Sequence, residues 1–395
     1  MAEWKECLLS DLGTVVGGAT PSTKNPANYE GGTISWITPK DLADFKGRYI
    51  ARGERMITDA GLSSCSTQLM PEHSVLFSSR APIGYVAIAA NELCTNQGFK
   101  SVVPNERTDY LFLYYLLRYY KDAIENLGSG TTFKEVSGST MRNVKVKVPV
   151  LFSEQKKIAS VLGAIDDKIE ENERINNNLQ EQARALYRSW FVDFEPFDGS
   201  KPSNWKNGRL KDVLSLQRSS IKAGENTSLP YLPIDIIPMN TFGLSDVKPN
   251  EEAQSSLITF SKDDIVIGAM RVYFHRVIIA PFDGITRTTC FTLRPFNADY
   301  LGFSLLCCDQ DSSIEYAQQT SKGSTMPYAV WDGGLGDMEI PIPDPKTAHR
   351  FNEIVMPMIR IIQSSFAENK NLRELRDSLL PRLMSGELAV SDLDL

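Results

Sequence analysis

The sequence predicts an α+β fold: two tandem mixed α/β domains, each followed by a long α-helix, with the two helices pairing as an antiparallel coiled coil. Three observations predict it. A helical seam runs from about Ser153 to Trp190 in steps of four and three residues: Ile158, Leu162, Ile165, Ile169, Asn172, Asn176, Leu179, Ala183, Leu186, Trp190. A second seam runs through Phe351, Val355, Met358, Ile362, Ser365, Asn369, Leu372, Arg376, Leu379 and Leu383, each 193 residues after its counterpart. Both seams turn polar at the same register, at Asn172 and Asn176 in one and Ser365 and Asn369 in the other. Generic coiled-coil periodicity does not repeat a polar break in register; an internal duplication does.

The segments ahead of the helices carry the duplication further. "WKECLLSDL" (4–12) matches "WKNGRLKDV" (205–213) at an offset of 201, and "GSGTTFKEV" matches "SKGSTMPYAV" at 193, so the second copy is shorter by eight residues in between. A shared frame with differing loops is the pattern of two domains with different specificities. Within the first copy, "TISWIT", "SVLFSS", "YVAIAA" and "VKVKVPV" read as strands, separated by turn clusters such as "GGATPSTKNPANYEGG". "TDYLFLYYLLRYYKDAIENL" reads as a buried helix flanking the sheet. In the second copy "DIVIGAM", "RVIIAPF" and "MEIPIP" are the strand equivalents, and "DYLGFSLLCCDQDSSIEYAQ" the helix. A straight 38-residue helix would be about 57 Å long. Pro357 predicts a kink or a late start in the second one. The residues read as helix-pairing are Ile158, Leu162, Ile165, Ile169, Asn172, Asn176, Leu179, Leu186, Phe351, Val355, Met358, Ile362, Asn369, Leu372, Leu379 and Leu383. A homodimeric coiled coil is the alternative; antiparallel pairing within one chain is favoured, because it sets the two polar centres opposite each other.

Bulk properties narrow the function. The chain has 395 residues, 42% hydrophobic, enough for two or three cored domains, and no apolar run of membrane-spanning length. The start lacks the basic-then-apolar pattern of a secretory signal, and six scattered Cys without a CxxC read as reduced thiols of a cytoplasmic protein. Three isolated His argue against a metal site. The net charge is −7; residues 1–150 carry 16 basic and 15 acidic side chains, and 198–345 carry 13 and 18. If DNA binds, local clusters or a partner must supply the phosphate contacts. There is no phosphate loop, no GxGxxG after a strand, no Asn/Asp-Pro-Pro-Tyr/Phe, no HExxH and no paired carboxylates of a metal-dependent nuclease. A binding protein without catalytic residues is the better reading.

The binding candidates are polar side chains in Gly-punctuated loops: Thr20, Ser22, Lys24, Thr38, Lys40, Ser78, Ser79, Arg80, Asn96, Gln97, Thr131, Thr132 and Lys134 in the first copy. In the second they are Arg218, Lys222, Arg271, Tyr273, His275, Arg276, Arg287, Thr288, Lys322, Ser324 and Thr325. Such residue types suit base edges and phosphates: Arg with guanine, Asn and Gln with adenine, Ser, Thr and Lys with either. Trp36 reads as core. A coiled-coil scaffold whose globules bind proteins is the alternative from a different class.

The stretch 148–197, "VPVLFSEQKKIASVLGAIDDKIEENERINNNLQEQARALYRSWFVDFEPF", resembles the central conserved region of the specificity subunits of type I restriction-modification systems. "GGATPS" with "YEGGTISWIT", then "VLFSSRAPIGYVAIA", "TNQGF" and "GSGTTFKEV", are similar to the frame of that family's target recognition domains, and "LRELRDSLLPRLMSGEL" to its distal conserved region. In the second copy "GAMRVYFHRVIIA" departs from "SSRAPIGYVAIA". The resemblance implies target recognition domains at 1–150 and 196–345, a central spacer helix at 151–195, and a distal helix and tail at 346–395. It further implies that each domain reads one half of a bipartite double-stranded DNA target and that the helices set the unread spacer. The implied partners are two methyltransferase subunits using S-adenosylmethionine on adenine and restriction subunits using ATP and Mg²⁺. No cofactor and no membrane partner are expected for this chain itself.

Overall fold

The computed structural model describes residues 3–130, 134–225, 228–254 and 257–392. The chain forms two compact units, one of residues 1–170 with 372–395, the other of residues 171–371. Both long helices cross the division: Phe152–Phe191 and Pro345–Ser385.

The first unit opens with Trp4–Leu8, paired antiparallel to Lys145–Pro149. A turn at Leu9–Asp11 follows, in which the Asp11 carboxylate accepts the Leu8 amide at 2.8 Å. The second unit repeats the device: Lys206–Arg209 pairs with Glu339–Ile342, and Asp212 accepts the Arg209 amide at 2.7 Å. The matched Asp of the two sequence motifs is therefore the group that closes the same turn twice.

The main sheet of the first unit has five strands in the order Gly13–Gly17, Lys100–Pro104, Val75–Ser79, Ile83–Ala89, Tyr49–Ile50. Only the last pair is parallel. Val75, Phe77, Ile88 and Val102 pack from this sheet against the helix Tyr110–Tyr119, whose residues 112–117 are all buried. That burial explains a helix apolar on every side. Asp109 caps it, accepting the Phe112 amide at 2.8 Å. Ile158 and Leu162 of the central helix join the same core, with Leu383 and Met384 of the distal helix.

The second unit's main sheet has four strands, in the order Leu214–Leu216, Cys290–Pro295, Ile265–Gly268, Val277–Ile279. Its flanking helices are Leu301–Cys308 and Asp311–Gln319. Its core takes Ala183, Tyr187, Trp190 and Phe191 from the central helix and Phe351, Val355, Ile359 and Ile362 from the distal one.

The helices run antiparallel within each unit. In the second, Asn172 Nδ2 donates to Asn369 Oδ1 at 2.8 Å while the Trp190 and Phe351 rings lie 5.4 Å apart. In the first, Arg376 Nη1 donates to Asp166 Oδ1 at 2.7 Å. Of the pairing residues read from sequence, Ile158, Leu162, Ile165, Ile169, Asn172, Asn176, Phe351, Val355, Ile362, Asn369 and Leu383 are buried. Leu179, Leu186, Met358, Leu372 and Leu379 are half-buried. The late start expected from Pro357 is wrong: the helix begins at Pro345. Pro is favoured in a first turn, and Asp344 caps it, accepting the Lys346 amide at 3.1 Å and the Thr347 hydroxyl at 2.7 Å. Pro357 itself is exposed, and the buried Val355 and Ile359 on either side hold that turn helical.

Candidate nucleic-acid interface

In the first unit the sheet register gathers part of the predicted set around one lysine. Lys100, at the start of its strand, lies opposite Gly17. Its Nζ reaches Ser79 Oγ and the Gln97 carbonyl at 3.5 Å each, and Glu135 Oε1 at 3.4 Å. Glu135 Oε2 lies 3.7 Å from Arg80 Nη1. Thr20 Oγ1 donates to Gln97 Oε1. Asn96 Oδ1 accepts the Gly98 amide at 2.8 Å and shapes the turn that presents Gln97. Arg80 and Glu135 side chains are about one-third exposed, at 34% and 39%, while Lys100 is mostly covered at 15%. Thr20, Gln97 and Arg80 thus sit on an accessible surface underpinned by Lys100 and Glu135, and Lys134 is exposed.

Other predicted residues do different jobs. Ser78 and Ser79 are fully buried, so neither hydroxyl faces solvent. Ser78 Oγ donates to the Pro82 carbonyl and accepts the Tyr85 amide, both at 2.8 Å; it shapes the Arg80 loop from beneath. Thr38 caps a short turn through Asp41, at 2.6 Å. Lys40 is exposed and paired with Glu54 at 2.7 Å. Ser22 and Lys24 are exposed, and the Ser22 carbonyl accepts from Asn28. Thr131 and Thr132 lie outside the described residues. Trp36 is core, 4% exposed, with Nε1 donating to the Ala19 carbonyl at 3.0 Å.

In the second unit Arg271, Tyr273, Arg287, Thr288, Lys322, Ser324 and Thr325 are exposed. Lys222 is exposed beside the edge strand Ser220–Ile221, and Arg218 pairs with Asp332 at 2.6 Å. Tyr273 leans on Phe274, ring centroids 5.0 Å apart. His275 and Arg276 are turned inward, against the sequence reading. His275 Nε2 contacts Asp309 at 2.9 Å, and Asp309 in turn receives Arg184 at 2.6 Å. Arg276 Nη1 donates to the Ile237 carbonyl at 2.6 Å and to that of Ile234. A half-buried cation or imidazole takes the nearest buried acceptor, and a loop motif read alone does not show where that acceptor is.

Lys100 and Glu135 are not among the residues singled out from sequence, because their neighbours are set by strand register and by the Arg80–Glu135 bridge, which the run containing Glu135, "GSGTTFKEV", does not reveal. Among the described residues no three His, Cys, Asp or Glu are grouped to hold a metal, and no helix is long and apolar enough to cross a membrane. All six cysteines are free, and burial pushes the Cys94, Cys290 and Cys307 thiols up to about 11, which keeps them protonated at neutral pH.

A relative from Methanocaldococcus jannaschii, the type I restriction enzyme MjaIX specificity subunit, is 33% identical over 422 residues, covering 99% of this chain and 95% of the relative. This chain belongs to the specificity subunits of type I restriction enzymes. The type I restriction modification DNA specificity domain family matches residues 1–181. The HindI specificity subunit of Haemophilus influenzae is 23% identical, covering 73% of this chain and 76% of that one. The crystal structure of the S subunit of a type I restriction-modification system from M. genitalium shares the fold, with a TM-score of 0.67, 16% identity, and coverage of 97% and 96% of the two chains. As a specificity subunit the chain supplies DNA sequence specificity and is itself non-catalytic, in keeping with the missing catalytic motifs.

Proposed function

We propose that each unit of this specificity subunit reads one half of a split double-stranded DNA target, and that the paired helices set the length of the unread spacer. The observation that carries the reading is the duplication itself: two copies of one frame, each with a long helix, and different residues at the loop tips. Reading is by base edges from the exposed Arg, Gln, Thr and Lys side chains, with phosphate contacts fixing position. Two modification subunits dock on the chain and methylate adenine with S-adenosylmethionine. Restriction subunits add ATP- and Mg²⁺-dependent translocation and cleavage. The assembly works in the cytoplasm, and the chain's own charge of −7 is offset by partners that share the phosphate contacts.

Mapping of methylated adenines in host DNA with and without this gene tests the reading. The expected result is one gapped motif, lost on deletion, with a modification subunit copurifying with the chain. An unchanged methylation map together with equal binding to all duplexes would sink it.

A further inference from the structure

The two units can be superposed residue by residue from their hydrogen bonds. Gly13 faces Pro104 as Leu214 faces Pro295, and Val75 faces Val102 as Ile265 faces Leu293. The Val136 amide bonds the Ser79 carbonyl as the Ala329 amide bonds that of Ala269. Glu135 bridges Arg80 and Ser129, as Tyr328 bridges Met270 and Lys322. Arg80, Lys100 and Glu135 therefore occupy the places of Met270, Phe291 and Tyr328. Even the strained backbone is kept next door, with Ala81 at φ +47° and Arg271 at φ +50°. The same scaffold point is charged in one domain and uncharged in the other.

The charged version carries a carboxylate where the function calls for approach to a polyanion. A carboxylate there repels phosphates whatever the sequence, so it weakens binding generally. It becomes favourable where a base presents an amine donor, and the exocyclic N4 amine of cytosine is the donor that Glu suits in the major groove. Arg80, beside it, suits the O6 and N7 of guanine. The geometry permits this: contacts of 3.7 Å and 3.4 Å hold Arg80 and Lys100 by charge without tight hydrogen bonds, and Glu135 remains 39% exposed.

We propose that Glu135 is a specificity-determining residue: it selects a C·G pair in the first half-site by accepting from cytosine N4, with Arg80 held beside it for guanine. The second domain, with Tyr328 at that position, makes no such demand. This rests on the half-site reading proposed above.

The test uses the full chain, alone and with its co-expressed modification subunit, and a randomised duplex DNA library as the probe. The wild-type protein is expected to enrich a split motif with C·G at one position of one half. Glu135→Gln is expected to lose about 10-fold discrimination at that position alone. The other half-site stays unchanged, and low-salt binding to mismatched duplexes tightens because one negative charge is gone. Glu135→Asp, which keeps the carboxylate, is expected to keep the preference. A wild-type motif unchanged in Glu135→Gln overturns the Glu135 assignment and leaves the half-site reading standing. So does a loss spread evenly over all positions of that half-site, which marks a merely structural residue. A wild-type protein that enriches no motif overturns both.

Discussion

The two ends of the helix pair solve the same packing problem with opposite chemistry. In the first unit Asp166 of the central helix meets Arg376 of the distal helix at 2.7 Å, with side chains 5% and 14% exposed. Tyr115 also donates to Asp166 at 2.7 Å, and Arg118 lies 3.8 Å away. Burial and the adjacent Asp166 charge push the Tyr115 phenol well above its usual range, so it remains a donor at any ordinary pH. Shifting both partners by the 193-residue repeat gives Ile359 and Ala183 in the second unit, both fully buried in its apolar core. One copy of the seam closes on an ion pair and the other carries buried apolar side chains at the same register. The difference teaches that the duplicated seam fixes where helices touch, while the charge that a layer tolerates depends on the donors its own domain brings to it.

The largest effect is expected where one member of the ion pair is removed. Arg376→Ala leaves Asp166 buried with Tyr115 and the more distant Arg118, and the cost is about 3 kcal/mol of stability in the first unit. Denaturant unfolding followed by a probe in that unit measures it; a loss below about 1 kcal/mol would show that Arg118 swings in to replace it. Ile359→Ala in the second unit is expected to cost about 2 kcal/mol or more, by lost burial and a residual cavity. Importing the apolar layer into the first unit, Asp166→Ile with Arg376→Ala, is predicted to recover most of the Arg376→Ala loss. Its success depends on Tyr115 finding another acceptor, so adding Tyr115→Phe should recover more.

The polar centre gives a smaller, sharper test. Asn172 Nδ2 serves both Asn369 Oδ1 and Glu368 Oε2 at 2.8 Å. Asn172→Leu removes two hydrogen-bond donations at a buried position and should cost about 1–3 kcal/mol. Asn172→Leu with Asn369→Leu should recover that stability but loosen the register, visible as new cross-links between engineered cysteines one turn apart. The smallest effect is expected at Glu171–Arg174, an exposed pair on the outer face of the same helix turn. Arg174→Ala should leave the unfolding midpoint unchanged within measurement error.

The helices were legible in the sequence because their information is local. A period of four and three, repeated with its polar break, is written in consecutive residues, and so were the strands around Val75 and Ile265. Of the candidate site residues, the structure brings Arg80, Gln97 and Thr20 to one surface, whereas His275, Arg276, Ser78 and Ser79 turn inward. Nothing in a loop motif tells whether the nearest acceptor is solvent or a buried carboxylate such as Asp309.

By itself the sequence determined the duplication, the two long helices with their polar centre, some of the strands and the flanking helix of each copy, and the family. Tertiary structure alone decided that Asp166 meets Arg376, 210 residues away, and that Arg80, Lys100 and Glu135 share one point of the scaffold. The reason is physical. Periodicity and propensity act over a few residues, whereas the neighbours of a charge are set by strand register and helix crossing. A charge settles only where burial, donors and acceptors from distant segments meet.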